Sequence, residues 1–224
     1  LCADFIKVIR SRRRTVSLEI NREGELTVRA PYGLGRGAID DIVNRHEPWI
    51  RKRRQEAQRR RELSRPKEFR DGERFLWLGT EYPLEIVERN RPPLTFNGEK
   101  FELAAPFLAS ARQVFESWFK QQARSYLTSR LAAISRQTGF KYKKLRLSSA
   151  ATRWGSCSTG GTISLVWRLM MAPPEIIDYL IIHELAHTKE KNHSRSFWRL
   201  VAAFVPDYKA RRRWLQVNGF LLKL

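Results

Sequence analysis

A chain of 224 residues is long enough for one large domain or two small ones with a real core. Its 42% hydrophobic content and seven tryptophans exclude a disordered chain, and no run of eighteen apolar residues offers a transmembrane segment. Lysine and arginine number 43 against 23 aspartates and glutamates, a formal net charge of +20. That surplus favours polyanionic partners, nucleic acid or an acidic membrane surface, with a merely solvated arginine-rich surface as the alternative.

Leu1-Cys-Ala-Asp-Phe5 does not read as a signal peptide, because Asp4, Lys7 and Arg10 interrupt any hydrophobic stretch. Two cysteines, Cys2 and Cys157, make no disulfide framework, so a reducing, cytoplasmic setting is expected. Residues 5–30 alternate as strands do. Val16, Leu18 and Ile20 share a face, and Leu26 and Val28 follow the turn at 21–24, which predicts a β-hairpin. A helix is expected over 37–46, with Ile39, Ile42 and Val43 inward, and Pro48 opens a second. Between Arg45 and Arg65 stand nine basic and three acidic residues, and beyond Trp49 and Ile50 the apolar face nearly vanishes. A helix polar all round bridges solvent or is stabilised from outside. Arg51, Arg53, Arg54, Arg59, Arg60 and Arg61 are therefore candidate phosphate contacts, or else a solvated face.

Residues 67–105 return to short strands: 75–78, 82–87, 94–96 and 101–103, with Asn97-Gly98 as a two-residue hairpin cue. Nothing there carries chemistry. Ser110 is placed to cap a long helix reaching Gln137. Its stripe runs through Phe115, Phe119, Ala123, Leu127, Leu131 and Ile134, and Gly139 stops it. The expected class is α+β. A β-rich N-terminal region over 1–105, with a basic helical insertion over 37–65, precedes a catalytic domain over 106–224.

Pro173-Pro174 starts the helix that carries the loudest signal, His183-Glu184-Leu-Ala-His187, followed by His193. Residues four apart on a helix point the same way, so His183 and His187 can share one metal ion. Glu184 stands beside them, where a carboxylate can take a proton from an activated water. This H-E-x-x-H spacing is a zinc-hydrolase signature. Catalytic zinc keeps three protein ligands and an open position, and His193, six residues beyond His187, is the expected third. The interval matches the extended metzincin motif, but Glu190 replaces its turn glycine; Asn192 is the residue suited to a left-handed turn instead. Two satisfied histidines on a buried helix would be the alternative. His46 lies outside every motif and reads as structural.

With these pieces in order the chain resembles the YgjP-like metallopeptidase family, zincins related to SprT-like proteins. The matching text is Arg153-Trp-Gly-Ser-Cys-Ser158, Ile163-Ser-Leu165, Trp167-Arg-Leu169, the H-E-x-x-H helix and Asn192-His-Ser-x-x-Phe-Trp198. The N-terminal hairpin, Pro48-Trp-Ile50 and Leu78-Gly79 match too. The resemblance implies a zincin-like core: a small sheet, a helix with two ligands and the third from His193. The family has Leu-Asn-Trp where this chain has Leu165-Val166-Trp167, which implies altered selectivity if that position meets substrate.

The function so implied is a zinc hydrolase, foremost a metallopeptidase acting on peptide or protein, with Glu184 as general base and recruitment to nucleic acid through the basic surface. A metal-dependent phosphoanhydride hydrolase of nucleotides and a nucleic-acid-binding module with a structural metal are the alternatives. Arg153 is a candidate for holding an oxyanion or a carboxylate, and Cys157 reads as a loop or core thiol. Finally, Thr162–Val166, the strand nearest the metal helix, is expected at a sheet edge, where Ser164 and Val166 would meet an added peptide strand.

Overall fold

A computed structural model describes residues 6–21, 23–63, 65–88 and 91–224; Cys2 and Asp4 lie outside them. Ten strands and six α-helices are found among the described residues, a mixed α+β structure with seven of the strands before residue 105. The chain divides into two compact units, Leu1–Arg65 and Pro66–Leu224.

In the first unit β1 (Ile6–Ser11), β2 (Ser17–Ile20) and β3 (Leu26–Pro31) form a sheet in the order β1-β3-β2. β2 and β3 make the expected hairpin, with Ile20 opposite Leu26. Leu26, Val28 and Ala30 alternate inward, as a half-buried strand requires, and pack with Ile39 of α1 (Arg36–Arg45) and Ile50 of α2 (Glu47–Leu63). His46 closes α1, its Nδ1 lying 2.8 Å from the Ile42 carbonyl. The long basic α2 buries only Ile50 and Ala57.

The second unit begins with a four-stranded sheet in the order β4-β5-β7-β6, made of Arg74–Trp77, Thr80–Val87, Phe101–Ala104 and Leu94–Phe96. It shares its core with α3 (Ala111–Thr138): Phe69, Phe75 and Phe101 meet Phe115 at ring separations of 5.2, 4.4 and 5.5 Å. This is why the unit boundary falls at Arg65–Pro66 and not at 105. The strands after Pro66 bury their apolar faces against the long helix, and one core cannot be cut between its halves.

Two local expectations shift. The β6–β7 turn is centred on Gly98-Glu99, one residue later than the Asn97-Gly98 cue. Asn97 occupies the flanking position and its Oδ1 accepts from the amides of Glu99 and Lys100. Gly98 supplies the left-handed residue, with φ +99. Ser110 precedes α3 but makes no side-chain cap; its hydroxyl donates to the Phe107 carbonyl instead. Gly139 ends α3 in the left-handed conformation, as expected.

A third sheet holds β8 (Lys144–Ser148), β9 (Gly155–Cys157) and β10 (Thr162–Val166) in the order β8-β10-β9. The expectation of β10 at an edge is wrong. It is the central strand, parallel to β8 and antiparallel to β9. Val166 is wholly buried and Ser164 is paired with Arg146 on one side and Ser156 on the other, so neither offers an open backbone to a peptide. A short 3₁₀ turn over Trp167–Met171 then leads into α4 (Pro174–Ala186). The β4–β5 turn is pinned to that passage: Leu78 and Gly79 donate to the Met170 and Met171 carbonyls at 2.8 and 3.2 Å. A Cβ on Gly79 would lie 2.8 Å from Pro173, so the glycine lets the sheet sit directly on the start of α4. Farther along, Arg130 of α3 holds Asp178 of α4 through two hydrogen bonds of 2.5 and 2.6 Å. α5 (Arg195–Phe204) and α6 (Tyr208–Asn218) complete the unit.

Candidate metal centre

α4 is apolar nearly all round, with Ile176, Ile177, Leu180, Ile181 and Leu185 buried, so it is fixed in place from every side. His183 lies in its last turn and His187 at its C-cap. Past that point Thr188 and Lys189 donate back to Leu185 and Ala186 in a tightened final turn. Asn192 does not adopt the left-handed conformation expected of it. The chain turns instead through the segment before α5, whose first turn is capped by Ser194 Oγ accepting from the Phe197 amide at 3.2 Å. That cap fixes where His193 stands.

The three histidines converge. One nitrogen from each lies within 4.8 Å of the other two, and Nε2 of His183 and His193 are 3.1 Å apart. A tetrahedral ion about 2.0–2.1 Å from each nitrogen would set them about 3.3 Å apart, so the cluster suits such an ion. Beneath it lies the fully buried Phe197 ring, 4.4 Å from His187 and 4.9 and 4.8 Å from His183 and His193. Trp198 stacks on His193 at 5.5 Å, and Tyr208 stacks on Trp198 at 4.9 Å. Nδ1 of His187 lies 3.0 Å from the Glu190 carbonyl; donating there leaves Nε2 as the free lone pair. His183 Nδ1 is buried with no such partner. Burial, then the neighbouring His187, His193 and Arg212, depress the His183 pKa to about 3, and burial likewise lowers that of His193. His183 is thus neutral at physiological pH, the form a metal takes up.

Glu184 is 5% exposed, and burial pushes its pKa up to about 7 against the pull of Arg153. A carboxyl poised there can take up and release a proton near neutrality. Its seat depends on β9. A Cβ at Gly155 would lie 2.5 Å from Glu184 Oε1, so the carboxylate rests directly on backbone. Arg153 is exposed just before β9. Cys157 is free and outside the histidine cluster; burial raises its pKa, which keeps it a thiol. The six arginines of α2 belong to the other unit.

Several residues of the site carry no signal in their spacing. A cavity of about 290 Å³ opens beside His183 and Glu184, walled by Trp154, Gly155, Tyr179, Arg212, Leu215 and Gln216. Arg212 belongs to a run, Arg211-Arg-Arg213, that in sequence is simply basic. Phe197 and Trp198 read in the sequence only as part of a closing helix over 196–204 and of the text that matches the family.

A family model described as YgjP-like, metallopeptidase domain, matches residues 14–218. The solved structure of the metallopeptidase zymogen of Pyrococcus abyssi abylysin is 27% identical over 43% of this chain and 95% of its own, with a TM-score of 0.38. No curated protein gives a significant match.

Proposed function

The chain belongs to the YgjP-like metallopeptidase family, and from that premise we propose a zinc-dependent peptidase in which His183, His187 and His193 hold the ion. Glu184 is its general base. The observation that carries this reading is the convergence of three imidazole nitrogens within 4.8 Å beside a carboxylate buried against Gly155. When bound, zinc polarises a carbonyl and acidifies a water to near neutrality.

The side chains divide the remaining work. His187 is held in one tautomer by the Glu190 carbonyl, and Phe197 and Trp198 fix the planes of the rings. Glu184 accepts the water proton at its carboxylate and hands it to the leaving amine. Arg153, the cation that opposes the rise in the Glu184 pKa, biases that group toward the ionised form. With β10 central, the strand that can take an extended peptide is β9, at the edge of its sheet and in contact with the base. Peptide amides pairing with Gly155–Cys157 would bring a scissile bond past Glu184.

The test uses an unfolded protein substrate and nucleoside triphosphates, each with chelator and then with zinc restored. Chelator-sensitive, zinc-restored proteolysis is expected. Hydrolysis of the triphosphates alone would favour the nucleotide reading, and metal retention without any hydrolysis a structural ion. A second reading, recruitment to nucleic acid, is favoured by the solvent-facing arginines of α2. It is tested below.

A further inference from the structure

The cavity beside the candidate centre contains a cation that the proposed reaction does not use. Arg212 projects from α6, and its guanidinium lies 5.3 Å from the Trp198 ring centre, over the same indole that stacks on His193. Its field reaches His183, His193 and Tyr179. The neighbouring Arg211 pairs with Asp207 at 2.9 Å, whereas no salt bridge among the described residues engages Arg212. A guanidinium with five donors, held on a tryptophan face and facing a cavity, is built for a planar anion.

The rest of the cavity narrows the choice. Leu215 and Trp154 give it an apolar wall, Gln216 adds an amide, and the buried Tyr179 keeps its proton because burial raises its pKa. Arg153 and Arg212 stand against the single carboxylate of Glu184 even before a metal adds its charge, so the field favours an incoming negative group. Methylene stems suit the apolar wall. Phosphate has no such stem, and no glycine-rich cradle lies here.

Building on the peptidase reading, we infer that this cavity is a substrate subsite for a carboxylate, anchored by Arg212. The carboxylate is that of a glutamate side chain or of the peptide's C-terminus. The enzyme so described prefers acidic peptides, in keeping with its net charge of +20.

The experiment compares fluorogenic peptides that differ only by Glu against Gln, scanned on both sides of the cleaved bond, and pairs with free or amidated C-termini. One position should show a preference for the carboxylate of about tenfold or more in kcat/KM, the worth of a charge-assisted hydrogen bond. The Glu/Gln pairs and the terminal pairs tell which source is read. In Arg212→Gln the ratio should fall to within about twofold of one, and Arg212→Glu should reverse it in favour of Lys-bearing peptides. No preference in the wild type overturns the inference. So does an equal loss on acidic and neutral peptides in Arg212→Gln, which would place the guanidinium at the reacting carbonyl. If no peptide is cleaved, the peptidase reading fails on its own. Anisotropy of labelled Glu and Gln peptides on the Glu184→Gln protein then still reads the subsite, and equal affinities there overturn it.

Discussion

The protein has two helices that stand out in its sequence, and the structure treats them in opposite ways. α4 buries nine of its thirteen residues, among them a glutamate, and delivers two histidines to a cluster. α2 is seventeen residues long, carries the densest charge in the chain, and buries two. Its charges are partly spent on one another: Arg51 with Glu47 at 2.5 Å, Arg53 with Glu56 at 2.9 Å, and Arg54 on the Gly24 carbonyl at 3.2 Å. The difference teaches where to look for chemistry. Exposed charge is cheap, since solvent screens it and surface pairs contribute about 0–1 kcal/mol. A buried carboxylate with no cation in contact persists only where something repays its desolvation.

The sharpest way to break this contrast is to neutralise the buried charge. Glu184→Gln keeps the shape of the side chain, so metal content should remain near stoichiometric while proteolysis falls about 10²–10⁴-fold. Elemental analysis alongside turnover decides it. Full activity with metal bound would leave α4 as scaffold and remove Glu184 from the reaction. Next in size is His193→Ala. Losing a direct ligand should weaken zinc retention by more than the roughly 10–100-fold typical of an outer-shell partner. Competition against a chromogenic chelator measures it, and unchanged affinity would exclude His193 from the centre.

Two glycines sharpen the comparison between position and stability. Gly155→Ala brings a Cβ to 2.5, 2.7 and 2.8 Å from Oε1, Cγ and Cδ of Glu184, so that side chain must turn aside. The melting temperature should fall less than in a variant that meets backbone, while activity falls about tenfold or more because the base is displaced. Gly79→Ala meets Pro173 backbone at 2.9 Å and must hold φ +85. It should cost about 1–3 kcal/mol of stability, seen as a lower melting temperature, with kcat of the folded fraction little changed. If both variants lost stability and activity together, Gly155 would be a packing residue and not a seat for the carboxylate.

What could be read from the chain follows from what is local. The metal helix was legible because its spacing lies within one element, and the α3 stripe because period 3.6 needs no partner. The place of β10 was not. Whether a strand is central depends on β8 and on β9, a three-residue Gly-Ser-Cys stretch with little strand propensity of its own. The division into compact units at Arg65–Pro66 was hidden for the same reason, since Phe69, Phe75 and Phe101 find Phe115 only in three dimensions. Arg212 was hidden among identical neighbours. Helix phase alone separates it from Arg211, which pairs with Asp207, and a run of three arginines does not announce which one faces a cavity.

The smallest expected effect lies on α2, where two arginines are held by carboxylates of their own helix. Arg51 and Arg53 stand beside Glu47 and Glu56, which would repel a phosphate, and Arg54 donates to the Gly24 carbonyl. Arg59 and Arg61 lie nearer the C-terminal end, where Arg61 and Arg65 flank a groove with Gln58 and Glu62. If α2 recruits nucleic acid, Arg59 and Arg61 contribute more than Arg51 and Arg53. Changing Arg59 and Arg61 to Gln should then flatten the dependence of log affinity on log salt by about two, since each lost phosphate contact removes about one from the slope. The same change at Arg51 and Arg53 should remove less, because Glu47 and Glu56 already offset part of their charge. Fluorescence anisotropy with a single-stranded and a duplex oligonucleotide across a salt series measures both slopes. Slopes that match the wild type in both variants would make α2 a solvated helix, whose charge maintains solubility and nothing more. Equal, large reductions would show that surface ion pairs give way to phosphate at no cost, and that pairing on this helix says nothing about its partners.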